Sequence, residues 1–106
     1  MSSRVVAGAN TEIALQQLTP EQVQTGTPQA GIVQLGPDCG LWEHTPGVST
    51  DVEVEEYFVV LAGRARIEIE GQDPLDIGPG DVVHLAAGAR TTWHVTETLR
   101  KFWFTP

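Results

Sequence analysis

The sequence predicts an all-β domain, a sandwich or a barrel, and three observations carry that prediction. Turn residues are dense and scattered: eleven glycines and seven prolines in 106 residues leave no room for long helices. From Gly31 onward, apolar and polar residues alternate with period two in short runs separated by turn residues. Roughly seven or eight such runs are packed into the rest of the chain, the count of a double-layered or closed antiparallel sheet. A chain of this length forms one domain and buries about two-thirds of its unfolded surface, enough for a core without disulfides or metals as staples.

Residues 1–28 differ in composition and read as an N-terminal arm, with a single barrel over 29–106. Within the arm, LTPEQV carries a helix-start signature: Thr19 at the cap, Pro20 at the first helical position and Gln22 three residues after the cap. Leu18 and Val23 are spaced for the apolar contact that brackets such a start, and Gly26 and Pro28 stop it after one or two turns. GIVQLG and CGLWEH then form two strands around the turn Gly36-Pro37-Asp38, and TPGVST reads as a loop. VEVEEYFVVLAG and RARIEIEG follow as a hairpin-like pair split at Gly63. In the second, Ala65, Ile67 and Ile69 share one face while Arg64, Arg66, Glu68 and Glu70 share the other, the pattern of a half-buried strand. The turn GQDP, the short strand PLDI, the turn GPGD and the strands VVHLA, TTWHVTE and LRKFWF complete the series.

Fourteen acids against six bases give a formal charge of −8. That surface repels phosphate backbones and anionic lipid, so neither nucleic acid nor membrane is expected as a partner. No apolar stretch approaches the length of a membrane span, and MSSRVVAGAN is too short and too weakly apolar for a secretory leader. The lone Cys39 cannot form an intramolecular disulfide and has no basic neighbour in sequence to activate it, so the cytoplasm is the expected compartment. Other constellations are plain. The acidic run Asp51, Glu53, Glu55, Glu56 lacks the calcium-loop pattern, GPGD lacks the lysine and hydroxyl of a phosphate loop, and no serine sits in a nucleophile elbow.

Strand parity tests the candidate chemical residues. In TTWHVTE, Thr91, Trp93 and Val95 share the face that should be buried, so His94 points outward. His84 has apolar neighbours on both faces and its direction is open. His44 lies just before the loop, where a solvent-facing position is at least as good a reading as an inward one. In VEVEEYFVV, the stripe Val52, Val54, Glu56, Phe58 and Val60 contains one carboxylate, while Glu53 and Glu55 take the other face. A carboxylate on an apolar stripe must be hydrogen-bonded, paired or neutralised, which makes Glu56 a polar anchor or proton carrier inside a pocket. The alternative is a bulge at Glu55-Glu56 that turns Glu56 to water. In LRKFWF, Phe102 and Phe104 take one face and Lys101 and Trp103 the other, and a tryptophan on the charged side hints at a dimer contact.

These residues carry a resemblance. Glu56, six residues and Gly63 resemble the end of the first cupin motif, G-x5-H-x-H-x3–4-E-x6-G. Gly80-Asp81, four residues and Ala86-Ala87-Gly88 resemble the second, G-x5-P-x-G-x2-H-x3-N, with alanine in place of proline. Together with GLWEHTPG, EEYFVVLAG and the closing LRKFWF, residues 31 to 105 are similar to the short single-domain cupins that include ureidoglycine aminohydrolase domains and the ethanolamine-utilisation cupin. The resemblance implies a small antiparallel jelly-roll barrel, a common homodimer, and a Glu56 that faces the interior. In metal-binding cupins three histidines and the glutamate hold the ion. Here the first two histidine positions fall on Thr50 and Val52, or on Ser49 and Asp51, and the third on Thr91. Hydroxyl and isopropyl groups do not replace imidazoles for Mn, Fe, Ni or Zn, so neither metal nor other cofactor is expected.

The functional expectation is therefore a metal-free binding module, with Trp42, Glu56, Phe58, His84, Thr91 and Trp93 lining a pocket for a small polar metabolite. Three alternatives stand beside it. One is a metal-free enzyme using Glu56 with His84 for acid–base chemistry, which requires His84 inside the barrel. Another is a metal-dependent enzyme of the ureidoglycine aminohydrolase kind. The last is a purely structural dimer with its pocket filled by its own side chains.

Overall fold

The computed structural model describes residues 2–106. Among them no helix is long and apolar enough to cross a membrane. The described residues form nine strands: β1 (Gln16–Gln17), β2 (Val23–Thr25), β3 (Gln29–Gly36), β4 (Cys39–His44), β5 (Gly47–Val52), β6 (Glu56–Ile69), β7 (Leu75–Ile77), β8 (Val82–Leu85) and β9 (Arg90–Phe104). All pairings are antiparallel. One sheet runs in the order β1-β3-β4-β9-β5-β2, and β6 bonds to β9 while also holding β7 and β8. The sheet curls on itself into the expected jelly-roll barrel, because β9 has β6 along one edge and β4 and then β5 along the other.

The two longest strands correct the reading of the sequence. Gly63 does not end a strand: β6 passes through it as one 14-residue strand, and β9 joins TTWHVTE and LRKFWF into 15 residues. Their shared register shifts repeatedly between Val60 and Ala65, so the ladder is bulged where the strands bend. Gly63 sits in that bulge at φ +89°, and a Cβ there would lie 2.1 Å from the Thr98 carbonyl oxygen. The bulge reverses parity along β6. Phe58 and Val60 face inward before it, Ala65 and Ile67 after it.

The N-terminal segment also differs from expectation. LTPEQV makes a single turn, with the Gln22 amide donating to the Thr19 carbonyl at 3.0 Å, and no helical turns follow. Val23 is instead taken up by the edge of β5, opposite Ser49. Strand pairing satisfies several backbone groups there, whereas one helical turn must order three residues for a single bond. TPGVST likewise is not a loop, since its last four residues open β5. Upstream, Ile13 is buried where the chain crosses Gly31, whose missing side chain permits the approach: a Cβ would lie 2.1 Å from the Ala14 carbonyl oxygen.

The core comprises Phe58, Val60, Ala65, Ile67, Ile77, Val83, Leu85, Trp93, Val95 and Leu99, with Trp42 and Trp103 packed against it. The polar side chains of the candidate site collect beside this core, where Phe58 and Trp93 lie against the buried Lys101.

Candidate functional site

Glu56 opens β6 opposite Leu85 and faces the interior, as its stripe suggests, with a relative exposure of 9%. Its partner is Lys101, also buried, whose Nζ donates to Glu56 Oε2 at 2.6 Å. The ammonium lies 4.7 Å from the Trp42 ring centroid, 4.4 Å from Phe58 and 5.0 Å from Trp93. Two buried charges cost several kcal/mol each in desolvation, on the order of the figures known for buried ions, and pairing plus three aromatic faces offset that cost.

In the sequence Lys101 and Trp103 share the charged side of the last strand, opposite Phe102 and Phe104. The structure places both inside, because β9 is continuous: Thr91, Trp93, Val95, Leu99 and Lys101 are all buried on the face that Trp103 shares. Phe102 and Phe104 take the outer face instead. Odd-numbered positions from Thr91 to Trp103 face inward except the exposed Glu97, which sits at the bulge and divides the run in the sequence. Trp103 is partly buried there, packed against the core and bordering the cavity.

Glu53 is the second residue that parity missed. β5 ends at Val52, and residues 53–55 bend before β6 begins, so alternation does not carry across. At the bend the Glu53 amide donates to the Ala89 carbonyl at 2.9 Å and the Glu53 carbonyl accepts from Gly88 at 2.7 Å. Its side chain turns inward and accepts, on Oε2, from the Thr91 hydroxyl at 2.8 Å and the Trp93 indole N–H at 3.1 Å. Burial is the main cause that raises its pKa above the usual carboxylate range; Asp51 adds to the rise, and the Thr91 and Trp93 bonds and Lys101 oppose it. Val52 and Val54, read as part of the inward stripe, are exposed.

The histidines divide. His44 is buried, not at the solvent; its Nδ1–H donates to the Thr45 carbonyl at 2.6 Å, so Nε2 is free to accept from the Ser49 hydroxyl at 2.8 Å. Burial holds its pKa below the ordinary imidazole value. His84 stands on the outer face of β8, its ring 4.7 Å from Tyr57 and its Nε2 paired with Glu55. His84 therefore does not line the pocket, and the acid–base pair of Glu56 with His84 is not assembled. His94 points outward beside Glu68, as parity indicates.

A cavity of about 380 Å³ lies beside Glu56 and Lys101. Of the six residues expected at the pocket, Trp42, Glu56 and Trp93 border it, Phe58 packs beneath Lys101, Thr91 reaches it only through its bond to Glu53, and His84 is outside. Lys101, Trp103, Glu53 and His44 border it in addition.

The donors present do not fit a transition-metal ion. Of the ligand set implied by the resemblance only the glutamate stands, and its Oε2 is taken by an ammonium tethered to the chain. Ser49 and Thr91, at histidine positions, are bonded to His44 and Glu53. Among the described residues no three His, Cys, Asp or Glu side chains converge on a point that would hold a metal.

Comparison with solved structures supports the fold. A protein of unknown function from Pseudomonas syringae pv. tomato superposes with a TM-score of 0.78 at 24% identity, over 91% of this chain and 45% of that one, so the present chain spans less than half of its length. The EutQ protein of Clostridium difficile gives 0.59 at 17% identity over 73% of this chain and 60% of that one, and the ectoine synthase of P. lautus 0.59 at 20% over 83% and 70%. At these identities the likeness is one of fold. Comparison with curated proteins finds no match. The family model described as the EutQ-like cupin domain matches residues 36–103, well over half of the sequence. The chain belongs to the EutQ-like cupin family.

Proposed function

We propose that this cupin binds a small polar metabolite inside its barrel, without a metal. The Glu56–Lys101 pair carries this reading: two buried charges set in a tryptophan-rich wall and bordering a cavity of about 380 Å³. Exchanging a buried ion pair for hydrocarbon is often neutral or stabilising, so fold stability gives little reason for one here. A few oriented polar groups in an aromatic wall are the makeup of a ligand site, and the volume lies near the small end of the ~300–1,000 Å³ typical of such sites. The neighbouring ectoine synthase is by its name an enzyme of a small molecule, which agrees with this use of the barrel.

A metabolite library screened by thermal shift and by NMR tests the proposal. A compound should raise the melting temperature and move the indole N–H signals of Trp42, Trp93 and Trp103. Trp93→Ala should abolish both effects, and Glu56→Gln should weaken them. A broad library in which nothing moves those signals would overturn the reading.

We propose further that two copies associate through the outer face of β6, β8 and β9. There Tyr57 stacks on Phe104 with centroids 5.4 Å apart, and Leu61 and Val82 stand exposed nearby. Sedimentation should give about twice the 11.5 kDa of one chain. A monomer at every micromolar concentration would contradict it.

A further inference from the structure

The barrel holds two polar demands that its own atoms leave unmet, and they lie around one indole. The Lys101 ammonium has three N–H groups. One donates to Glu56 Oε2, and among the described residues the ammonium makes no other hydrogen bond. Glu53 accepts two bonds on Oε2 and none on Oε1. Lys101 lies over the face of Trp93, while Glu53 is bonded to the N–H edge of the same ring. Both side chains border the cavity.

Resting on the binding reading above, we infer that the ligand is a small hydroxycarboxylate, its carboxylate taken by the free N–H groups of Lys101 and its hydroxyl by Glu53 Oε1. A carboxylate offers paired acceptor oxygens, and bonds between ionised partners are about twice as strong as neutral ones. A hydroxyl suits Glu53 in either protonation state, donating to the carboxylate or accepting from the acid, whereas an ammonium can only donate and loses the ion pair when the acid is protonated. The rise in the Glu53 pKa on burial also lessens the repulsion that an anionic ligand would meet from that side. Trp42 and Trp103 supply the apolar wall for a short carbon chain. The cavity's size favours a compact acid over a nucleotide or a sugar chain.

Calorimetric titration of the whole protein tests this with three series: C3–C6 hydroxycarboxylates, polyols of matching length without the carboxylate, and matching amino alcohols. The hydroxycarboxylates should bind, and the other two series should bind at least about tenfold more weakly, the ratio for one lost charge-assisted bond. Lys101→Met alone strands the Glu56 carboxylate and threatens the fold, so the double variant Lys101→Met/Glu56→Leu, checked for native circular dichroism, is the better probe. It should lose hydroxycarboxylate binding by at least the same factor. Glu53→Gln should weaken hydroxycarboxylates but leave plain carboxylates of equal length unchanged. Tighter binding of polyols or amino alcohols would overturn the inference while leaving a ligand-binding barrel in place. So would silence in all three series when the metabolite screen finds other compounds at the tryptophans. Silence in both experiments would remove the inference and the binding reading together.

Discussion

At the scale of single residues, the site consists of charges held where charges are costly. Removing one partner of a buried pair is far worse than removing both: Lys101→Met should cost about 3–5 kcal/mol in urea unfolding, while Lys101→Met/Glu56→Leu should recover most of it. Equal losses in the single and double variants would show that the ammonium is not desolvated in solution. Glu53 predicts a pH dependence of definite sign. Because its folded pKa is raised, the native state holds the proton more tightly than the unfolded chain. Its contribution to stability is thus complete below its ordinary value of 4.5 and is lost as pH rises through the elevated folded value. Glu53→Gln should therefore be more stable than the parent at neutral pH by a margin that shrinks as the pH falls toward 4.5. The exposed Glu55 and Asp76, held below their usual values chiefly by His84 and Arg66, act in the opposite sense, so the difference between parent and variant is the quantity to follow. Part of the cavity's lining was legible in the sequence: the inward direction of Glu56 and Trp93 follows from period two along their strands. Glu53 was not legible, since a bend is a tertiary event fixed by the distant Gly88–Ala89 turn.

At the scale of elements, two long bent strands, β6 and β9, govern the fold, and the bend depends on Gly63. Gly63→Ala brings a methyl group against the Thr98 carbonyl in a backbone region that L residues avoid, and should cost about 2–3 kcal/mol. Gly71 has a similar φ of +87° but open space around it, so Gly71→Ala should cost only about 1 kcal/mol. Chemical denaturation of the two variants separates steric contact from backbone conformation; equal costs would mean that the Thr98 contact relaxes freely. The sequence showed most strand segments but not their continuity. A glycine at Gly63 looks the same whether it ends a strand or bulges one, because both require the same backbone freedom. Helix capping at Thr19 was a genuine local preference that the free edge of β5 overrode.

At the scale of the whole molecule, the pairings connect parts of the chain far apart in sequence: β1 with β3, β2 with β5, and β4, β5 and β6 with β9. Non-local sheets of this kind fold in milliseconds to seconds, because loop closure precedes the contacts that reward it. Stopped-flow refolding should fall in that range, and a submillisecond phase with full native signal would contradict the topology. The position of β9 has a further consequence for the newborn protein. No ribosome-bound chain can complete this sheet before residues 90–104 have emerged. Until then the long edge of β6 has no strand beside it, and the indoles and phenyl rings meant for the interior have nothing to close over them. Biosynthesis thus contains an interval in which the chain is most open to aggregation and to chaperone capture, and it ends only when that last strand arrives.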